Sequence, residues 1–188
     1  MKTPHLSRRG FLTGIASLAA TSSLRAYGLL PAGPKKWDSK MEVAVDVTIA
    51  TIEGTRVHRP YVAVYIEDEA GKPVRTLSLW VQTERRGPRW IPDLRRWWAG
   101  ADHDKLVPTV SSATRNAGKY TLVWDGKGDD EKLVNQGKYT VCIEAAREHG
   151  TYGLIKQPIE IGKKTFTTKV EGNVEIEGAT VEFRKRAK

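Results

Sequence analysis

Gly118 to Gly150, GKYTLVWDGKGDDEKLVNQGKYTVCIEAAREHG, is the stretch whose reading decides the fold. It holds two alternating runs joined by a polar, glycine-bearing connection. Tyr120, Leu122 and Trp124 fall on one face of the first run, with Thr121 and Val123 on the other. In the second run Tyr139, Val141, Ile143 and Ala145 oppose Thr140, Cys142, Glu144 and Ala146. Period-two alternation in Tyr, Val, Ile and Thr is what a strand with one buried face requires. Between the runs, Asp125-Gly126 opens a turn, Gly128 and Gly137 can take positive φ, and Val134 is a lone apolar residue. Together the runs read as an anchoring hairpin. Its tryptophan leaving one strand and its tyrosine entering the next are placed to pin two layers of a sandwich.

Upstream, Met41 to Ile52 alternates, with Val43, Val45, Val47 and Ile49 on one face. Tyr61 to Glu67 is the next strand, Asp68 to Lys72 the turn, and Val74 to Val81 the returning partner, which reads as an antiparallel meander. Downstream, Leu154 to Ile161 carries Pro158 and so suits an edge or a bulge. Lys164 to Val170 and Val174 to Arg184, hinged at Glu171-Gly172-Asn173, close the sheet. Eight or nine strands without a βαβ rhythm, together with 17 glycines and 9 prolines, predict an all-β fold. The expected architecture is an immunoglobulin-like antiparallel β-sandwich.

The alternation breaks over residues 82–117, a long loop insertion. Pro92 and Asp93 suit a first helical turn, and Leu94, Trp97 and Trp98 follow at near-helical spacing, so Pro92 to Ala99 is expected as a short helix. A further turn is placed at Ser111 to Ala117. Loops of this length inside a compact domain commonly carry function.

Ser7-Arg8-Arg9-Gly10-Phe11-Leu12 has the form of a twin-arginine export signal, followed by an apolar stretch from Phe11 to Leu24 too short and weak for a membrane span. Residues 1–26 are assigned to this leader, with cleavage after Ala26, and residues 27–40 to a flexible lead-in. The domain proper is residues 41–188. The signal implies the periplasm as destination, and it is set aside from fold reasoning.

Charge narrows the partners. The chain carries a net +9, but Lys2, Arg8, Arg9 and Arg25 lie in the leader, and without them 27 basic residues face 22 acidic ones. A balance of +5 without a basic stripe does not support nucleic-acid binding. The single cysteine, Cys142, excludes an internal disulfide, cysteine-rich zinc sites and Cys-x-x-Cys-His haem attachment.

Chemistry could sit in four places. Trp80, Trp90, Trp97 and Trp98 are interleaved with Arg85, Arg86, Arg89, Arg95 and Arg96. Such a cluster can stack a planar ligand such as a flavin ring, serve as a protein-docking hot spot, or plug the open end of the sandwich. Trp90, Trp97 and Trp98 with Arg95 and Arg96 form the first candidate surface. His58, Arg59, Arg147 and His149, at strand ends, form the second. No two histidines have tight metal-ligand spacing; two of them could still ligate haem or copper, although ordinary hydrogen bonding explains them as well. The acidic loop Asp125, Asp129, Asp130, Glu131 lacks the EF-hand register and reads as turn chemistry. Cys142 lies mid-strand and reads as a packed, unreactive thiol. No Gly-x-Ser-x-Gly, P-loop or dinucleotide fingerprint occurs, and nothing in the sequence requires an enzyme.

Locally, WDGKGDDEKLVNQGKYTV resembles the immunoglobulin-like module of flagellar hook-capping proteins, over about twenty residues, which bears on fold alone. Over nearly the whole chain after the leader, HRPYVAVYIEDEAGKPVRTLSLW, RWIPDLRRWW, SSATRNAGKYTLVWDG and YTVCIEAAREHGTYGLIKQPIEI resemble a family of predicted periplasmic proteins, domain of unknown function 2271. That resemblance implies a setting beside PepSY-type membrane proteins and the transferase that attaches flavin to exported proteins. The transferase's target is a threonine in an Asp-Gly/Ala-x-Ser/Thr-Gly-Ala-Thr context. Val110-Ser111-Ser112-Ala113-Thr114 approaches it, with Ser112 where glycine is expected and Pro108-Thr109 where the acid falls, making Thr114 the candidate modification site. The expected function is a non-catalytic accessory or binding protein of a flavin- or iron-linked electron-transfer system. The alternative is a redox protein carrying flavin or haem itself.

Overall fold

The computed structural model describes residues 33–54 and 57–186. The leader, its cleavage point and the start of the lead-in lie outside the described residues. Nine strands form two sheets. β1 (Met41–Ile49), β5 (Gly118–Trp124), β8 (Phe166–Glu171) and β9 (Ile176–Lys185) make a four-stranded sheet in the order β5-β1-β9-β8. β2 (Tyr61–Asp68), β3 (Pro73–Trp80), β4 (Ser111–Ser112), β6 (Gly137–Ala146) and β7 (Tyr152–Ile161) make a five-stranded sheet in the order β4-β3-β2-β6-β7. All ladders are antiparallel except the two-residue pairing of β3 with β4. The expected β-sandwich with a helix-bearing insertion is the fold observed.

Two expected pairings are replaced. β5 and β6 are not a hairpin: β5 pairs with β1 in one sheet and β6 with β2 and β7 in the other. Nor is β1 the first strand of a meander, since it lies between β5 and β9. Alternation fixes which side chains face inward but not which strand lies alongside. The β2–β3 and β8–β9 hairpins do form, and Pro158 sits in β7, at a sheet edge where a missing N–H costs no ladder bond.

Between the sheets lie Val43, Val45, Val47 and Ile49 of β1, Val62, Val64 and Ile66 of β2, Val141, Ile143 and Ala145 of β6, and Val181 and Phe183 of β9. The connection from β5 to β6 crosses from one layer to the other, and the Trp124 and Tyr139 rings meet edge to face across it, 5.2 Å between centroids. Trp124 donates its indole N–H to the Lys127 carbonyl at 2.8 Å. The end of the lead-in is built into this core. Trp37 is buried, its ring 4.8 Å from that of Trp124, and its backbone N–H donates to the Val134 carbonyl. Val134, the lone apolar residue of the loop, packs there too.

A second apolar cluster covers the outer face of the five-stranded sheet. Tyr61, Ala63 and Tyr65 of β2, Leu79 of β3, and Cys142 and Ala146 of β6 are roofed by Ile91, Leu94, Trp97 and Leu106 of the insertion. That double burial explains why YVAVYIED reads as a nearly continuous apolar run. The insertion is more helical than the single helix expected over Pro92 to Ala99. A 3₁₀ segment runs over Gly87–Asp93, then α1 over Arg95–Gly100 and α2 over His103–Val110. Leu94, at φ −76° and ψ 69°, breaks the first from the second. The turn expected at Ser111 to Ala117 begins instead as the edge strand β4.

Candidate functional site

The insertion is keyed to the sheet by one carboxylate. Glu144, fully buried on the outer face of β6, accepts the backbone N–H of Arg96 and that of Trp97, each at 2.8 Å. These are orphan donors in the first turn of α1, which has no side-chain cap of its own. A carboxylate from another element therefore does the work of a cap and sits at the positive end of the helix. The Tyr152 hydroxyl donates to Glu144 at 2.9 Å and the Tyr65 hydroxyl at 3.3 Å, so both carboxylate oxygens are satisfied. Burial and the Glu144 hydrogen bond push the Tyr152 phenol up to about 12, keeping its proton in place as a donor.

A second carboxylate completes the clasp. Glu67, at the end of β2, takes Arg96 Nε and Lys156 Nζ, each at 2.8 Å, and Arg96 also donates to the Gly71 carbonyl. Burial pushes the Glu67 carboxyl up, but the Arg96 and Lys156 hydrogen bonds outweigh it and hold the group below its usual value. Cys142 lies beneath, its thiol pushed up to about 12 by burial and then by the Glu67 charge. The unreactive thiol expected from its mid-strand position is the state this environment enforces.

These contacts sort the first candidate group. Trp97 is wholly sequestered, its indole N–H donating to Thr76 Oγ1 at 3.0 Å, so it anchors the insertion and touches nothing outside. Arg96 is committed to Glu67 and Gly71. Trp80 belongs to the core between the sheets. Arg95 is exposed and lies over the Tyr152 ring at 4.7 Å. Trp90 and Trp98 are half-buried, packed against the edge of the second apolar cluster. Trp98 stacks on His103, 3.7 Å between centroids at 23°.

The second group divides as well, and part of it joins the first. Arg147 is held in a buried pair with Glu175, Nη2 to Oε2 at 2.6 Å, and also donates to the His58 carbonyl, which removes it from any outside contact. His149, 76% exposed and in the left-handed region at φ 54°, sets its ring edge to face with Trp90 at 5.2 Å. Arg89 lies over the same indole at 4.6 Å. Glu148 ties the patch together: Arg89 and His58 stand 3.8 Å from its carboxylate and His149 3.9 Å. Trp90, Arg89, His58, Glu148 and His149 thus form one surface cluster from three chain segments. Among the described residues no group of three His, Cys, Asp or Glu side chains is arranged to hold a metal ion.

Residues 42–178 match the family described as predicted periplasmic protein (DUF2271). The chain belongs to this family. No curated protein and no solved structure matched it. The span shared with DUF2271 runs from β1 into β9 and takes in the insertion with both clasps and the Trp90 cluster. No helix among the described residues of this DUF2271 chain is long and apolar enough to cross a membrane.

Thr114 of this DUF2271 member lines a cleft that none of Trp90, Trp97 and Trp98 borders. The cleft, of about 440 Å³, is also lined by Arg59, Thr83, Glu84, Ser111 and Ser112. Arg59 lines this cleft with Thr114 and also a smaller hollow with His58, and it makes no contact with Trp90 or Glu148 among the described ion pairs and ring contacts. Glu144, Glu67 and Glu148 were not singled out from the sequence. For Glu144 the signal was present: a lone carboxylate inside the apolar run of β6 needs buried partners.

Proposed function

We propose that the chain is an exported periplasmic accessory protein, non-catalytic, that docks on a membrane-anchored PepSY-type partner of a flavin- or iron-linked electron-transfer system. The twin-arginine motif at Ser7 to Leu12 supplies the route. The observation that carries the docking reading is the Trp90 cluster. A half-buried tryptophan flanked by a guanidinium and an imidazole and mounted on a clamped insertion has the composition of interface hot spots. The Glu144 and Glu67 clasps hold the insertion that carries Trp90, which lowers the ordering cost of a contact made there.

The test is binding of the purified exported chain to the detergent-solubilised PepSY-type protein. Trp90→Ala and Arg89→Ala each weaken binding at least tenfold while the fold is retained. Absence of binding, or binding indifferent to both substitutions, contradicts the reading.

One placement favours a second reading, in which the chain carries flavin itself. Thr114 lines an open cleft at the sheet edge, where a transferase could reach it. A flavin or haem band in the visible spectrum of protein purified from the periplasm favours that reading over the accessory one. Loss of a flavin band in Thr114→Ala places the attachment.

A further inference from the structure

We infer that the cleft beside β4, together with the smaller hollow that shares Arg59 with it, is an anion site for a small phosphate monoester, with Arg59 and Arg115 as its cationic groups. The starting point is charge without a partner. Among the described residues Arg75, Arg89, Arg96, Arg147, Arg184 and Arg186 pair with carboxylates, and Arg85, Arg86 and Arg95, which do not, line neither hollow. Arg59 and Arg115 have no carboxylate within ion-pair distance and no side-chain hydrogen bond among the described residues. The residues outside the described set contain no Asp or Glu side chain. Arg115 has only the Trp80 ring, 5.9 Å away, as a face to lie against.

Arg59 lines both of two hollows, and Arg115 lines the smaller of them. One is the cleft of about 440 Å³, lined by Thr83, Ser111, Ser112 and Thr114 as well as Arg59. The other, about 130 Å³, is lined by Arg115, Asn116, His58 and Arg59. The larger volume lies within the range of small-molecule sites. Four hydroxyls supply donors that can turn to meet an oxyanion, and the guanidinium fork matches phosphate oxygens two at a time. β4 adds the backbone groups of its free side, because it is an edge strand paired on one side only, with Leu79, Trp80 and Val81. Glu84 also lines the cleft and opposes an anion. Within the cleft it offsets Arg59, so the excess positive charge comes from Arg115 in the adjoining hollow, and removing Glu84 is a useful handle.

This inference shares only His58 with the docking surface, its test changes none of that surface's residues, and it takes the Thr114 hydroxyl as unmodified. The experiment is titration of the purified chain at low ionic strength with inorganic phosphate, ribose 5-phosphate and ribose, followed by backbone amide shifts. Saturable shifts centred on Thr83, Ser111, Ser112 and Thr114 are expected for the two phosphates and not for ribose. Binding weakens at least tenfold in Arg59→Gln and in Arg115→Gln, and tightens in Glu84→Gln. The gain in Glu84→Gln keeps the test decisive even where an arginine variant is poorly folded. No saturable shift, shifts centred elsewhere, equal binding of ribose, or affinity unchanged in all three variants overturns the inference.

Discussion

Glu144 on β6 and Trp97 on α1 are joined by a 2.8 Å hydrogen bond from the tryptophan's backbone N–H to a carboxylate that no solvent reaches. The insertion is thereby part of the folded domain rather than a loop laid over it. Glu144→Ala leaves two amides and two phenolic hydroxyls without their acceptor, and is expected to destabilise the fold by about 3 kcal/mol. Glu144→Gln keeps the shape and part of the bonding, and should lose about half of that. Chemical denaturation of both variants measures the difference; equal losses would mean that the acceptor count does not matter.

Trp97 and Trp90 should separate cleanly. Trp97→Ala empties a fully buried indole site and is expected to cost about 3–5 kcal/mol. Trp90→Ala removes a half-buried ring and should cost about 1 kcal/mol or less. Urea midpoints at constant slope test this. A costly Trp90→Ala would place that ring among the packing residues instead of the recognition residues.

Acid should loosen the Glu67 clasp. Its carboxyl is held below the usual value of 4.5, so the folded state binds its proton less readily than the unfolded chain. The stabilisation is complete above the unfolded value and is lost as pH falls through the depressed folded one. The stability gap between the wild type and Glu67→Gln is therefore largest above pH 4.5 and narrows below it. A gap constant across that range would show that Glu67 is not held ionised by Arg96 and Lys156.

Cys142 should be silent in the native protein. With the thiol pushed up to about 12 beneath Glu67, almost no thiolate exists at neutral pH, and the sulfur is also buried. Labelling by a thiol reagent is expected only at the rate of unfolding, and stoichiometrically in urea. Fast labelling of the folded chain would show that the roof over β6 opens.

Gly126 sets the crossing between the layers. It has φ +81°, and a Cβ there would lie 2.1 Å from the Trp37 indole. Gly126→Ala is expected to cost about 2 kcal/mol or more, from backbone strain and overpacking together. A neutral effect would mean that Trp37 can leave the core.

The sequence made the inward faces plain, because alternation in β1, β5 and β6 reports burial directly. It left partnership open: Trp124 and Tyr139 were legible as a pin, but nothing local says that their strands lie in different sheets. The outer face of β6 was ambiguous for a different reason. Thr140, Cys142, Glu144 and Ala146 are the composition of a half-exposed face, and only the insertion, distant in sequence, seals it. The tryptophans could not be sorted by spacing, since Trp97 and Trp98 are adjacent and differ only in which side of α1 meets the sheet. His149 was visible as an end-of-strand histidine, but its meeting with Trp90 depends on a turn that takes φ 54°. Long-range pairs such as Arg147 with Glu175 leave no mark on local pattern at all.

The central claim is that the Trp90 cluster is the face through which the folded chain meets its membrane partner. Photo-crosslinking in the periplasm tests it most directly, with the reactive residue placed at position 90 in one strain and at exposed Val174 in another. The account predicts a discrete adduct with the PepSY-type protein from position 90, abolished by Arg89→Ala, and none from position 174. Adducts of equal yield from both positions, or none from position 90 in cells where the partner is present, would contradict it.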